Sequence, residues 1–170
     1  NRYQSSDSMI FTRPITIGMF LILACGSDTS SVPNPEQNDP TEDALEAVVT
    51  DVMITGSEGS FQFNVTIRSP DTGCEQYANW WEVLSRDGKL LYRRILTHSH
   101  VNEQPFSRSG GPVSISDTDS IFVRGHMHPF GYGTNAFTGS IQTGLIAVQL
   151  DSTFASEVEK QSPLPGPCVF

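Results

Sequence analysis

Apolar and polar residues alternate strictly through FQFNVTI, with Phe61, Phe63, Val65 and Ile67 on one side and Gln62, Asn64 and Thr66 on the other. That period of two predicts a strand with one face buried. Residues 47–55 (AVVTDVMIT) form another β-rich run, stopped by Gly56. After Pro70 a loop carrying Cys74 leads into a strand through Trp80, Trp81, Glu82, Val83 and Leu84. Asp87-Gly88 is a hairpin signal, so residues 90–101 are read as the returning strand. A polar loop over 102–111 precedes a short strand at 113–115 and a longer one at 121–128. The glycine-rich loop Pro129-Phe130-Gly131-Tyr132-Gly133 then separates it from a last strand at 145–150. Residues 153–161 (TFASEVEKQ) alone read as a helix, and a short one.

Seven or so short strands with turn signals about every ten residues predict an all-β domain over residues 44–170, a single β-sandwich of immunoglobulin or fibronectin type with a short C-terminal helix. A Trp on the third strand fits that plan, although the usual inter-sheet cysteine pair is missing. No internal repeat is present.

The front of the chain has a different character. From Met9, read as the initiator, the sequence runs MIFTRPITIGMFLILAC: one arginine, an apolar stretch over 15–23, then a small residue, Ala24, before Cys25. This is the layout of a signal segment, and the apolar stretch is too short to span a bilayer, which needs about 20 residues. Leu21-Ile22-Leu23-Ala24-Cys25 resembles the lipobox of bacterial lipoproteins. The resemblance implies removal of residues 1–24, lipid modification of Cys25 and anchoring of the protein to a membrane. Gly rather than Asp at position 26 resembles sorting to the outer membrane. Residues 25–43 then hold three prolines, five acidic residues and no aromatic residue, a composition with almost nothing to bury and therefore that of a disordered tether.

Charge narrows the classes of partner. The net charge is −9, with 10 basic residues against 19 acidic ones, and the basic residues form no stripe with interleaved aromatics. Nucleic acid is thereby disfavoured as a partner. Once Cys25 is assigned to lipid, Cys74 and Cys168 remain as an even pair in an exported chain, which predicts a disulfide closing a loop of more than 90 residues. In the chain-entropy account such a crosslink stabilises by roughly 4 kcal/mol.

All four histidines fall in two His-x-His triplets, His98-Ser99-His100 and His126-Met127-His128. On a strand, residues two apart project to one face. The local motif is similar to the strand-borne metal ligands of carbonic anhydrase and of copper/zinc superoxide dismutase, although the further ligands of the dismutase have no counterpart here. In a sandwich both triplets reach the same end of the sheet, flanking the third strand about 10 Å apart. There Trp81 and Val83 face the core while Trp80 and Glu82 face outward beside His126 and His128. His98, His100, His126, His128 and Glu82 are therefore candidate ligands for zinc or copper; the plainer alternative is a set of rim histidines on exposed strand ends. The chain has no GxSxG, no HExxH and no phosphate loop, so catalysis is not expected. The aromatic loop 129–133 is a lesser candidate that could cradle a sugar or peptide. Two functions follow as expectations: a non-catalytic, lipid-anchored binding module of the cell envelope, contacting a protein or glycan, or an envelope protein that binds zinc or copper.

Overall fold

The computed structural model describes residues 45–169. The predicted signal segment 1–24, the cysteine at 25 and the tether to residue 43 lie outside them.

Eight antiparallel strands form two sheets. The smaller sheet contains β1 (Val48–Ser57), β2 (Ser60–Arg68) and β5 (Phe106–Val113), in the order β1-β2-β5. The larger contains β3 (Tyr77–Ser85), β4 (Leu90–Ile95), β6 (Ile121–His128), β7 (Gly131–Ser140) and β8 (Gly144–Gln149), in the order β4-β3-β6-β7-β8. The fold is the expected all-β sandwich: three strands face four in the fibronectin-like arrangement, and β8 extends the larger sheet by one.

Side-chain parity explains how the sheets meet. In β2 the predicted set Phe61, Phe63, Val65 and Ile67 is buried and the residues between are not. Trp81 and Val83 from β3, with Ile121, Val123 and Met127 from β6, meet that set in the main core. β3 is buried along almost its whole length, because its second face is covered as well. Residues 151–168 run across the outside of the larger sheet as a strap, and Val158 and Phe154 of the strap pack with Trp80, Leu84, Tyr132 and Phe122 in a second, smaller core. The assignment of Trp80 and Glu82 to the outer face is right in parity. Solvent does not reach these two side chains: Trp80 is 3% and Glu82 0% exposed. A disulfide joins Cys74 to Cys168, with Cα atoms 5.6 Å apart, and ties the end of the strap to the loop before β3.

Four predicted elements need correction. β4 stops at Ile95, so His98 and His100 lie in a loop and not on a strand. The strand gives way where Leu96 N–H bonds the carbonyl of Asn79 and the Thr97 carbonyl accepts from Val169 N–H. From there the chain crosses to the other sheet. The polar stretch read as a loop over 102–111 contains most of β5, which is polar because its outer face and free edge meet water. Gly131–Ser140, read as a loop in its first part, is the strand β7, half-buried between β6 and β8. The predicted helix is a five-residue 3-10 helix, Ser156–Lys160, within the strap.

Glycine at position 125 is a steric requirement. The run leading into β1 crosses β6 there, and a Cβ would run into the carbonyl oxygen of Ala47.

Candidate functional site

Both His-x-His triplets lie at the end of the larger sheet where β3 begins. Trp80 is opposite Ile95 on one side and His126 on the other, and Tyr77 is opposite His128. The four imidazoles occupy different environments.

His126 is buried on the outer face. Its ring stacks on Trp80 at 3.6 Å and meets the edge of Tyr132 at 4.8 Å. Nδ1 is 2.7 Å from Oδ1 of Asn79 and, with a carbonyl-type oxygen as partner, acts as the donor. Burial, reinforced by the charges of Arg93, Arg124 and His128, pushes its pKa down to about 3. His100 is buried on the other side, with its ring stacked on Phe106 of the main core at 3.6 Å. Its backbone N–H donates to Oδ2 of Asp71 at 2.7 Å, while Oδ1 of the same carboxylate accepts from Ser69 and from Ala78 N–H. Asp71 thus fixes the loop that carries His100. Burial, then the charges of Arg108 and His98, pushes the His100 pKa down to about 4.

His98 and His128 are exposed. His98 sits 4.5 Å from His100, between ring centres, and His128 packs edge-on to Tyr77 at 5.9 Å. Each triplet thus has one buried and one exposed member. Among the described residues, no group of three or more His, Cys, Asp and Glu side chains is placed to hold a metal ion.

Glu82 is committed elsewhere. It lies directly across from Arg93 on β4 and from Arg124 on β6. Oε2 accepts from Arg93 Nε at 2.9 Å and Nη2 at 2.7 Å, and Oε1 accepts from Arg124 Nε at 2.9 Å. The remaining guanidinium N–H groups hold the strap by its backbone. Arg124 donates to the carbonyls of Phe154 and Ala155, and Arg93 to those of Val158, Gln161 and Pro163. One carboxylate between two guanidinium groups leaves a net positive charge, which these carbonyl dipoles offset. The ring faces of Trp80 and Tyr132 lie under Arg93 and Arg124 at 4.5 and 3.5 Å. Sequence reasoning missed this cluster. Part of its signal was available: Glu82 and Arg124 share outward parity on two strands, whereas residues 90–101, which carry Arg93, have apolar residues on both faces and no legible parity.

Tyr132 connects the cluster to an open cleft. Burial and the neighbouring Glu82 carboxylate raise its phenol pKa. Beside it, a cleft of about 330 Å³ is bounded by Leu45, Phe130, Thr134 and Ser152, with Glu46 and residues 131–133 as its floor. This is the loop that sequence put forward for a sugar or peptide. Phe130, at the turn between β6 and β7, keeps half of its surface exposed. Gly131 adopts a φ of 91°, which a side chain would resist. Gly133 leaves room for Glu46, whose carboxylate would collide with a Cβ there. Glu46 Oε1 accepts from the Thr134 N–H at 2.9 Å and hydroxyl at 3.2 Å, and Oε2 accepts from Asn135 at 2.8 Å. No Lys or Arg lines the cleft. Glu46 is the one carboxylate that lines it, and both its oxygens are hydrogen-bonded to Thr134 and Asn135.

A protein of Halomicrobium mukohataei described as "Putative lipoprotein" is 37% identical to this chain over 103 residues, which is 60% of this chain and 51% of that protein. The chain thus spans about half the length of the curated relative it matches. No protein-family model matches the chain, and no solved structure matches it.

Proposed function

We propose that this protein is a lipid-anchored, non-catalytic binding module on the extracytoplasmic side of a membrane, and that its ligand is a neutral carbohydrate bound in the cleft beside Phe130. Anchoring is supported by the lipobox-like residues 21–25 and by the description of the relative. In a cell with two membranes, Gly26 favours the outer one. The observation that carries the binding reading is the half-exposed Phe130 ring at the side of a cleft that is also lined by Thr134, Ser152 and the hydrogen-bonded Glu46 carboxylate, with no Lys or Arg. A pyranose offers an apolar face for such a ring and hydroxyls for Ser152 and Thr134. Tyr132, which lines the cleft, packs under the Arg124 guanidinium at 3.5 Å.

The test is a glycan array probed with the protein beside Phe130→Ala. Removing the ring is expected to weaken carbohydrate binding at least about tenfold, or about 1.4 kcal/mol, with the fold unchanged because Phe130 lies outside both cores. Absence of any carbohydrate ligand for the wild-type protein, or retention by an extended peptide instead, would contradict this reading.

A further inference from the structure

The four sheet edges are not alike. β1 carries exposed Asp51 and a register shift between Val49 and Asp51. β5 carries Arg108 and ends in Gly110-Gly111-Pro112, where proline has no N–H to offer. β4 carries Arg93 and Arg94. Charge, irregularity and proline are the usual means by which an edge strand is kept from pairing with another chain. β8, GLIAVQ, has none of them, and its pairing with β7 runs without a register shift. Its other side ends the sheet. Ile146 at its middle is 68% exposed, and a groove of about 210 Å³ lined by Val52, Ile54, Ser140, Ile141, Gly144 and Leu145 runs beside it.

Charge distribution says what fits this edge. From Gly125 to Leu150 there is no Asp, Glu, Lys or Arg, in a chain with 19 acidic and 10 basic residues. Two copies of a chain of net charge −9 repel one another over most approaches. They meet without opposed carboxylates where this stretch faces itself. A charged strand would gain no complementary partner here; an uncharged strand does, and β8 is itself such a strand.

We propose that the free edge of β8 is a self-association surface, on which a second copy of this chain pairs antiparallel through its own β8 about a two-fold axis at Ile146. The pairing joins two five-stranded sheets into one of ten strands. It is self-complementary, as a two-fold contact must be: Ile146 stacks on its symmetry mate on the outer face, and Leu145 lies opposite Ala147 on the inner face beside the groove. The backbone N–H and C=O groups along the open side of β8 then find partners in the other chain.

The test uses the full chain carrying Cys25→Ser, in a mild non-ionic detergent that shields the apolar segment 15–23. Sedimentation velocity over a roughly hundredfold range of concentration is expected to show a monomer–dimer equilibrium. Ile146→Lys is expected to raise the dissociation constant at least about tenfold with an unchanged circular-dichroism spectrum, since an exposed side chain contributes little to the core. Independently, Ile146→Cys in the same background should form an interchain disulfide on mild oxidation, because opposed residues in antiparallel strands lie within bonding reach. A protein that stays monomeric throughout overturns the proposal. So does a dimer unaffected by Ile146→Lys, absence of the crosslink, or an edge that takes up only the strand of a different protein.

Discussion

Nη2 of Arg93 lies 2.7 Å from Oε2 of Glu82, and neither side chain has any exposed surface. Arg124 completes the group from the other side, at 2.9 Å from Oε1 and with its own side chain 2% exposed. Fully buried charges are tolerated when each is paired and hydrogen-bonded, and here the strap carbonyls finish the coordination of both guanidinium groups. The cluster therefore fastens the strap to the sheet.

Glu82→Gln keeps the shape of the side chain and removes the negative charge from between two buried guanidinium groups. Breaking a buried pair in this way costs about 3–5 kcal/mol. The unfolding free energy measured by urea denaturation should fall by that amount. A loss below about 1 kcal/mol, the range of a surface ion pair, would mean that the cluster is not closed to water.

The predicted pH response comes from the two buried histidines. His126 and His100 have folded pKa values of about 3 and about 4, below the ordinary value of 6.5 that they regain on unfolding. Between those limits the unfolded chain binds more protons, so stability rises with pH. The contribution is complete above about pH 6.5 and falls as the solution is acidified, by about 2 kcal/mol per histidine at pH 5. Unfolding free energies measured from pH 7.5 down to 5 check this. In His126→Gln and His100→Gln the slope should shrink by one proton each, and an unchanged slope in both variants would contradict the assignment.

Much of this architecture was written in side-chain period. β2 and the inward faces of β3 and β6 follow from alternation alone, and two-residue parity correctly separated Trp81 and Val83 from Trp80 and Glu82. β7 was illegible for a physical reason. Its stretch GYGTNAFTGS has few apolar residues, and its place between β6 and β8 is held by backbone pairing, which leaves no side-chain signature. The end of β4 was equally hidden, since Leu96 and Thr97 are good strand residues whose backbone partners, Asn79 and Val169, are distant in sequence. The covered outer face could not be seen either, because the strap 151–168 looks like a polar tail until Arg93 and Arg124 are known to hold its carbonyls. The placement of His126 and His128 on the last residues of β6 was legible. The burial that divides each triplet was not.

That division bears on metal. His98 and His128 are exposed, whereas His100 and His126 are stacked on Phe106 and Trp80 in separate cores. Calorimetric titration with Zn²⁺ and with Cu²⁺ should therefore show no site that depends on both triplets. Any weak affinity should respond to only one of the substitutions His98→Ala and His128→Ala and be unaffected by the other. A stoichiometric site abolished by either substitution would mean that the triplets converge on one ion after all.

On the proposed reading, this sandwich works at the end of a lipid anchor on Cys25. Intact-mass and N-terminal peptide spectrometry of the protein extracted from membranes of its native host tests it most directly. The predicted result is a chain that begins at Cys25, carries a thioether-linked diacylglyceryl group on that residue, and is released from the membrane fraction by Cys25→Ser. A membrane-extracted chain with an unmodified Cys25, or one still bearing residues 9–24, would contradict it.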